Sequence, residues 1–556
     1  MRGKLGAILV VALAACGTTS HPPPVEDLIP PGDDGGEGGT TSCGNAKGLI
    51  GTIPSSDDPT TCAEAVKSRS YVGCDYWPTV LANNVWSIFD FAVVVANAGN
   101  TTAQVTVTGP NGLKQSQTIA PNALAKFYLP WVPALKGSDA DTCGASMPLS
   151  ASVVAKASAY HLVSSVPVIV TQFNALEYQG SGGPDGKDWS SCPGSQPCND
   201  MGNPAYGTPI GCYSFSNDAS LLLPSSTLTG HYRVTAYPGE TFTSGGQSMP
   251  YMASYIGITA TGNGTHVKVQ LPKTADVLAG PGVPATAAGG EVDLTLDAGD
   301  VAQLTTDLGS MFDLSGTLVS ADQPIQVIAG APCDQVLQGE PACDHLEQSV
   351  FPAETLGKHY FVTVPTAPIG SPLAHVVRMT GNVDGTVLTY QPSVPSGCPT
   401  KLDAGQVVDC GQVTEDFEVT GTHEFAVATF QMGGSVIDPN GGYGDPSQSQ
   451  FASVEQYRVK YVFLAPEDYN VNYVDVVEPT GTVLLLDGVC DTTSATPISG
   501  GYEVRRVQLG AGNGGAHVAE SSNPVGIQVI GYGLFTSYQY PAGLFLAEIA
   551  PPPKTQ

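Results

Sequence analysis

One segment of this chain returns four times. Residues 163–173 read VSSVPVIVTQF, 319–330 VSADQPIQVIAG, 419–430 VTGTHEFAVATF and 519–530 AESSNPVGIQVI. Aligned on Pro167, the later copies carry Pro324, Glu424 and Pro524, and the last two intervals are 100 residues each. Proline fixes φ and has no N–H, so it suits the start of a strand and not its middle. A fixed period constrains the fold more than any single motif, because each copy must be one structural unit that stacks on the next. The first interval is longer, 157 residues, and its excess falls at 179–215, where three cysteines and many Gly and Pro suggest a disulfide-braced insertion.

A second signature accompanies the first: SNDASLLLPSSTLTGHYRVTAYP (216–238), CDHLEQSVFPAETLGKHYFVTVP (343–365) and, more loosely, SQSQFASVEQYRVKYVFLAP (447–466). Each leads from a polar turn through an apolar anchor to a Tyr-led strand, with Tyr232, Tyr360 and Tyr461 in register. Alternating runs such as HVKVQLP (266–272), GTVLTYQP (385–392) and GTVLLLDG (481–488) fill the space between. Sixty-six Gly, 45 Pro and only 13% charged residues favour short strands joined by tight turns. The expected fold is all-β: about four tandem immunoglobulin-like sandwiches of roughly 100 residues each, with a β-propeller-like ring as the alternative. Boundaries are expected at 43–215, 216–342, 343–444 and 445–550, followed by a short tail at 551–556. The one good helix candidate is TTCAEAVKSRS (60–70).

The first sixteen residues, MRGKLGAILVVALAAC, place two basic residues before a short apolar run. That is the pattern of an export signal, too short to span a bilayer. It ends in Leu13-Ala14-Ala15-Cys16, which resembles a bacterial lipobox and implies signal removal after residue 15 and lipidation of Cys16. Residues 16–42 then read as a lipid anchor and a Pro/Gly tether. The expected location is the bacterial outer membrane or cell surface, with contact to the membrane through the anchor alone. Twelve cysteines remain after Cys16, an even number that favours disulfides in an exported chain. Close pairs are Cys62/Cys74, Cys333/Cys343 and Cys398/Cys410. The formal net charge of −29 excludes nucleic acid and anionic lipid surfaces as natural partners.

No G-x-S-x-G elbow, H-E-x-x-H or P-loop occurs, and no catalytic residue or cofactor is expected. His231 and His359 precede repeat tyrosines and read as structural. Asp218 and its counterpart Asp344 read as turn-formers, with calcium between repeats as the sharper alternative. Asp334, Asp344, His345 and Glu347 read as solvated loop charge near the Cys333/Cys343 pair. Tyr76, Trp77, Tyr538 and Tyr540 are the candidate ligand-facing aromatics, since such side chains give large contact area at low entropic cost, though they serve a β core equally well.

Cys74-Asp75-Tyr76-Trp77, FAVVVANAG (91–99), VPVIVTQFNAL (166–176), SNDASLLLP (216–224), DLSGTLVSADQPIQVIAG (313–330) and GYGLFTSYQYPAG (531–543) resemble the IgGFc-binding protein N-terminal domain family. The resemblance runs from about residue 43 to 550. It implies surface display and binding or adhesion, its bacterial members being lipoproteins of myxobacteria-like Gram-negative organisms; it brings no catalytic residues. The expected function is therefore non-catalytic binding of an extracellular protein or glycan. A polysaccharide hydrolase and a purely structural spacer are the alternatives.

Overall fold

The computed structural model describes residues 58–138, 147–178, 182–187, 202–203, 208–209, 214, 216–244, 247–340, 343–467, 469–510 and 515–554. Within them the four copies fold alike, each as a seven-stranded antiparallel sandwich, to which the fourth adds an edge strand, Ala495–Pro497. In the second unit the strands are His231–Arg233, Tyr255–Ala260, Thr265–Gln270, Glu291–Leu296, Val301–Thr305, a two-part sixth strand (Leu318–Ala321 and Ile325–Asp334) and Asp344–Ser349. One sheet runs fourth, third, sixth, first; the other runs fifth, second, sixth, seventh. Alternation does what it should: Val267, Val269, Val292 and Leu294 point inward and pack against Ile256, Ile258 and Val327, while their neighbours stay wet.

The sixth strand serves both sheets, and it changes sheet at the repeated residue. It is continuous in the first and last units (His161–Asn174 and Ala516–Gly533) and split in the third (Phe417–Gly421 and Phe425–Gln431). At that crossing the backbone N–H leaves one ladder before joining the next, so proline costs no sheet hydrogen bond there. A tyrosine of the first strand fixes each bend. Tyr76, Tyr232 and Tyr360 donate their hydroxyls to the carbonyls of Val168 (2.7 Å), Ile325 (2.5 Å) and Phe425 (2.6 Å), and Tyr461 donates to Val525. Each acceptor is the residue after Pro167, Pro324, Glu424 or Pro524. The two sequence signatures are thus halves of one latch.

The sandwiches close into a ring. The seventh strands Ala219–Leu221 and Ser447–Gln450 each pack against both Asp344–Ser349 and Thr536–Pro541, so four seventh strands surround one axis. Tandem sandwiches and the propeller-like ring describe two scales of the same object. The segment after each first strand leans on the next unit: Thr79 meets Thr259 (3.0 Å), Thr235 meets Thr380 (2.7 Å) and Thr366 donates to Asp475 (2.6 Å). At the fourth joint, Leu464 and Tyr469 share a core with Ala92, Val94 and Ile169 of the first unit. The C-terminal tail seals this joint, pairing Phe545 with Ser70, while Leu546 N–H donates to Arg69 O (2.7 Å).

Strand pairing draws the unit boundaries one strand later than expected. Residues 219–221, 344–349 and 447–450 pair with the sixth strand of the preceding unit. A polar turn looks the same whether it opens a unit or precedes its last strand, so sequence left the phase open. The helix at Cys62–Ser68 begins with a Thr61/Glu64 capping box, and Cys62–Cys74 ties it to the first strand. The signal segment, Cys16, the tether and most of 179–215 lie outside the described residues.

Chain direction gives the ring two unlike faces. Every unit-to-unit linker runs across one of them: 222–230, 350–358 and 451–457, with the tail at 542–550. The described chain also begins there, at Asp58. On the opposite face the sixth strands end and the seventh begin, and the number of residues between them varies widely: forty-four in the first unit, then nine, fifteen and two. That face also carries the segments between first and second strands, and the second unit's is long enough to form its own hairpin, Thr241–Ser244 with Gln247–Pro250.

Candidate functional site

Three of the four aromatics expected to face a ligand are fully buried, and Trp77 nearly so. Tyr76 is the first unit's latch. Trp77 stacks on His161 (4.2 Å between ring centres) and donates Nε1–H to Ser225 Oγ (3.2 Å). Tyr538 donates to Asn472 Oδ1 (2.8 Å), and Tyr540 Oη is held between the backbone N–H and carbonyl of Leu464. The repeat needs these rings as core, where each polar tip finds a partner.

Burial overturns the reading of Asp334, Asp344, His345 and Glu347 as solvated loop charge, and Asp218, read as a turn-former, joins units around the ring axis. Asp218, Asp334, Asp344, His345 and Glu347 are all fully buried. Asp218 Oδ1 accepts Ala219 N–H (2.8 Å), and Oδ2 accepts Glu347 N–H (2.9 Å) and Gln448 N–H (3.1 Å), so one carboxylate joins three units. Glu347 accepts from Gln172 Nε2 (2.6 Å) and Asn174 Nδ2 (2.5 Å). Asp344 accepts from His345 N–H (2.7 Å) and Thr536 Oγ1 (3.3 Å). Burial pushes the carboxyls of Asp218, Asp344 and Asp445 well above the usual range. Asp218 is wrapped in N–H donors, the opposite of the oxygen cage that calcium takes. Among the described residues no three His, Cys, Asp or Glu side chains group so as to hold a metal. A polysaccharide cannot reach these carboxylates, so they offer a hydrolase nothing.

His231 pairs with Glu354 (2.7 Å) and His359 with Glu418 (2.8 Å), both at strand starts. Cys333–Cys343 and Cys398–Cys410 each close a loop within one unit. Gly510 to Gly515 has the G-x-G-x-x-G spacing, but it joins strand Tyr502–Leu509 to strand Ala516–Gly533. A dinucleotide fingerprint must open a helix.

Apart from single side chains scattered elsewhere, such as Val66, Val163, Val489 and Ile549, exposed apolar side chains gather on the insertion face. Phe242 and Met249 pair across the hairpin of the second unit, Tyr251 follows it, and Met311 stands on the adjoining loop. They are 36%, 57%, 45% and 77% exposed. Ser310 N–H and Oγ bond to Thr241 Oγ1, and Gly309 N–H to Met252 O, which hold loop and hairpin together. Asp307 and Asp276 flank this surface, joined through Asp307 N–H (3.3 Å). Sequence reasoning passed over these residues. The available signal was the length of residues 234–254, which join first and second strands here and have shorter counterparts at 77–90, 363–374 and 465–470. No helix among the described residues is long and apolar enough to cross a membrane.

A human protein described as IgGFc-binding protein is 33% identical over 144 residues; the match spans 23% of this chain and 2% of that protein's length. A solved tetra-tandem repeat from the extending region of a large adhesion protein covers 82% of this chain and 95% of its own, at 11% identity. Its TM-score is 0.08, and nothing is built on it. The family model described as IgGFc binding protein matches residues 218–531, more than half of the sequence, and the chain belongs to that family.

Proposed function

We propose that this chain is a non-catalytic extracellular binding protein whose insertion face takes a protein partner, with Phe242, Met249, Tyr251 and Met311 as anchors. One observation carries the reading: four large apolar side chains stand exposed together, two on a hairpin between first and second strands that no other unit shows among the described residues, one just after it and one on the adjoining loop. Surface patches of this kind mark interaction sites, and each of these part-exposed anchors contributes about 1 kcal/mol when docking desolvates it. Asp276 and Asp307 suit a partner that brings basic side chains to the rim of an apolar contact. The name of the human relative makes the Fc region of immunoglobulin G the first partner to try.

Lipidation at Cys16 belongs to the same proposal: it would tether the chain from the end whose described part begins on the linker face, which leaves the insertion face free for a partner. The test is binding of the full chain to immobilised Fc, to a panel of extracellular proteins and to a glycan array. A Phe242→Ser/Met249→Ser variant should bind the protein ligand about 30-fold more weakly, as expected for two anchors of about 1 kcal/mol each. Unchanged affinity in that variant, or binding to glycans alone, overturns the proposal.

A further inference from the structure

The exposed hairpin rests on a buried acid. Glu240 lies one residue before it, and its backbone closes the base: Tyr251 and Met252 donate N–H to Glu240 O (2.8 and 3.2 Å), and Glu240 N–H donates to Met252 O (3.0 Å). Its side chain reaches the other way. Oε2 accepts from Gln335 N–H (3.1 Å) and Gln338 Nε2 (3.3 Å), on the loop that Cys333–Cys343 closes. One residue therefore fastens the hairpin to the body of the second unit.

Asp334 stands beside that carboxyl. Both of its carboxylate oxygens and Glu240 Oε1 are buried without any hydrogen-bond donor. Acceptors left facing one another in a dry site need something positive between them. The neighbouring groups do not supply it. Arg378, the nearest cation, is taken by Asp313 (2.5 Å), Asp409 (3.5 Å) and the Ala236 carbonyl. Tyr237 Oη accepts Leu337 N–H (3.1 Å) and makes no hydrogen bond to these three oxygens, Tyr251 is half exposed, and Asp344, opposite Asp334 across the strand pair, is occupied by His345 and Thr536.

We propose that Glu240 and Asp334 share one proton and that this proton seats the hairpin, so that the anchor patch is held in acid and released as pH rises. Its effect on a partner rests on the function proposed above; the seating itself does not. Burial raises both carboxyls, and the Glu240 charge adds to the rise at Asp334. The folded chain thus binds the proton more tightly than the unfolded chain. Its stabilisation is complete below the ordinary carboxylate range and is lost as pH climbs through the raised values.

Amide hydrogen exchange of the whole chain tests this without a partner. After correction for intrinsic rates, protection at Tyr251, Met252 and Gln335 should fall about tenfold for each unit of pH between the ordinary carboxylate range and the pair's raised titration, and level off above it. Asp334→Asn supplies a permanent donor and should flatten that profile; Glu240→Gln should do the same and serves if the first variant does not fold. A variant profile as steep as the wild type's overturns the proposal. So does protection restored at high pH by calcium ion alone, which would make the occupant a cation. The Phe242→Ser/Met249→Ser variant should keep the wild-type profile. A flat wild-type profile removes the switch and leaves the binding proposal standing, whereas a normal profile with no partner removes only the binding proposal.

Discussion

The two faces of the ring use the same sandwich for different ends. On the linker face, the three unit-to-unit passages are short (222–230, 350–358 and 451–457), and each next first strand brings a tyrosine to the same bend. On the insertion face, where sixth strands end and seventh begin, the residues between them number from two (534–535) to forty-four (175–218). Uniformity marks where the units must meet; variation marks where the chain is free to add surface, as loops on a rigid scaffold commonly do. Substitutions on the first face should therefore cost stability, and on the second, binding.

The largest expected loss is at the seam. Arg458 is buried, paired with Asp58, and lies over the rings of Tyr71 (5.2 Å) and Phe545 (4.4 Å), joining entry, tail and fourth unit. Arg458→Ala leaves Asp58 unpaired and removes both ring contacts, at a cost of about 3–5 kcal/mol. Calorimetry should show an earlier transition, and a second one if the ring opens before its sandwiches melt. A shift as small as that of an exposed insertion-face residue would break the comparison.

The next loss belongs to the latch. Tyr360→Phe leaves the buried Phe425 carbonyl and Gly357 N–H without the hydroxyl they share, costing about 1–3 kcal/mol. Tyr232→Phe should cost the same within error, since it occupies the same position against Ile325. A large difference between them would mean that the latches do unequal work, and denaturation midpoints of the two variants decide this.

Acidity sharpens the comparison from the other side. Asp475 accepts both Thr366 N–H and Oγ1 where the third unit's insertion-face segment meets the fourth, and burial lifts its carboxyl to about 6. Its contribution is present below the ordinary carboxylate range and lost as pH rises through about 6. Buried His375 has the opposite sign, its imidazole being held down to about 3, so it destabilises the fold as pH falls from the usual histidine range towards that value. Asp475→Asn should remove its share of the loss between the ordinary carboxylate range and about 6 and leave the His375 part unchanged, which stability measured across pH will show.

The period, the bends at Pro167, Pro324, Glu424 and Pro524, and the three local disulfides could be read from sequence because they are set by neighbours in the chain. Ring closure could not. It depends on which side of each seventh strand meets another unit, and Asp218, Asp344 and Glu347 look like turn residues until their partners 129 and 230 positions away are known. Tyr538 and Tyr540 show the same gap: an aromatic run reads equally as an exposed face or a sealed core. The hairpin was missed because its anchors are spread over Phe242, Met249, Tyr251 and Met311, and only tertiary folding gathers them.

Met311→Ser should have the smallest effect on stability and the clearest effect on binding. The side chain is 77% exposed, so its removal should change stability by no more than about 0.5 kcal/mol. If Met311 is an anchor, the same substitution should weaken partner binding by roughly tenfold, the loss expected when about 1.4 kcal/mol of contact disappears. Thermal shift and affinity measured on one sample separate the two. A Met311→Ser chain that melts early would place part of the linker face's work on the insertion face. One that melts normally and binds normally would confine the anchors to the hairpin itself, because Met311 is the only one of the four that stands on a separate loop.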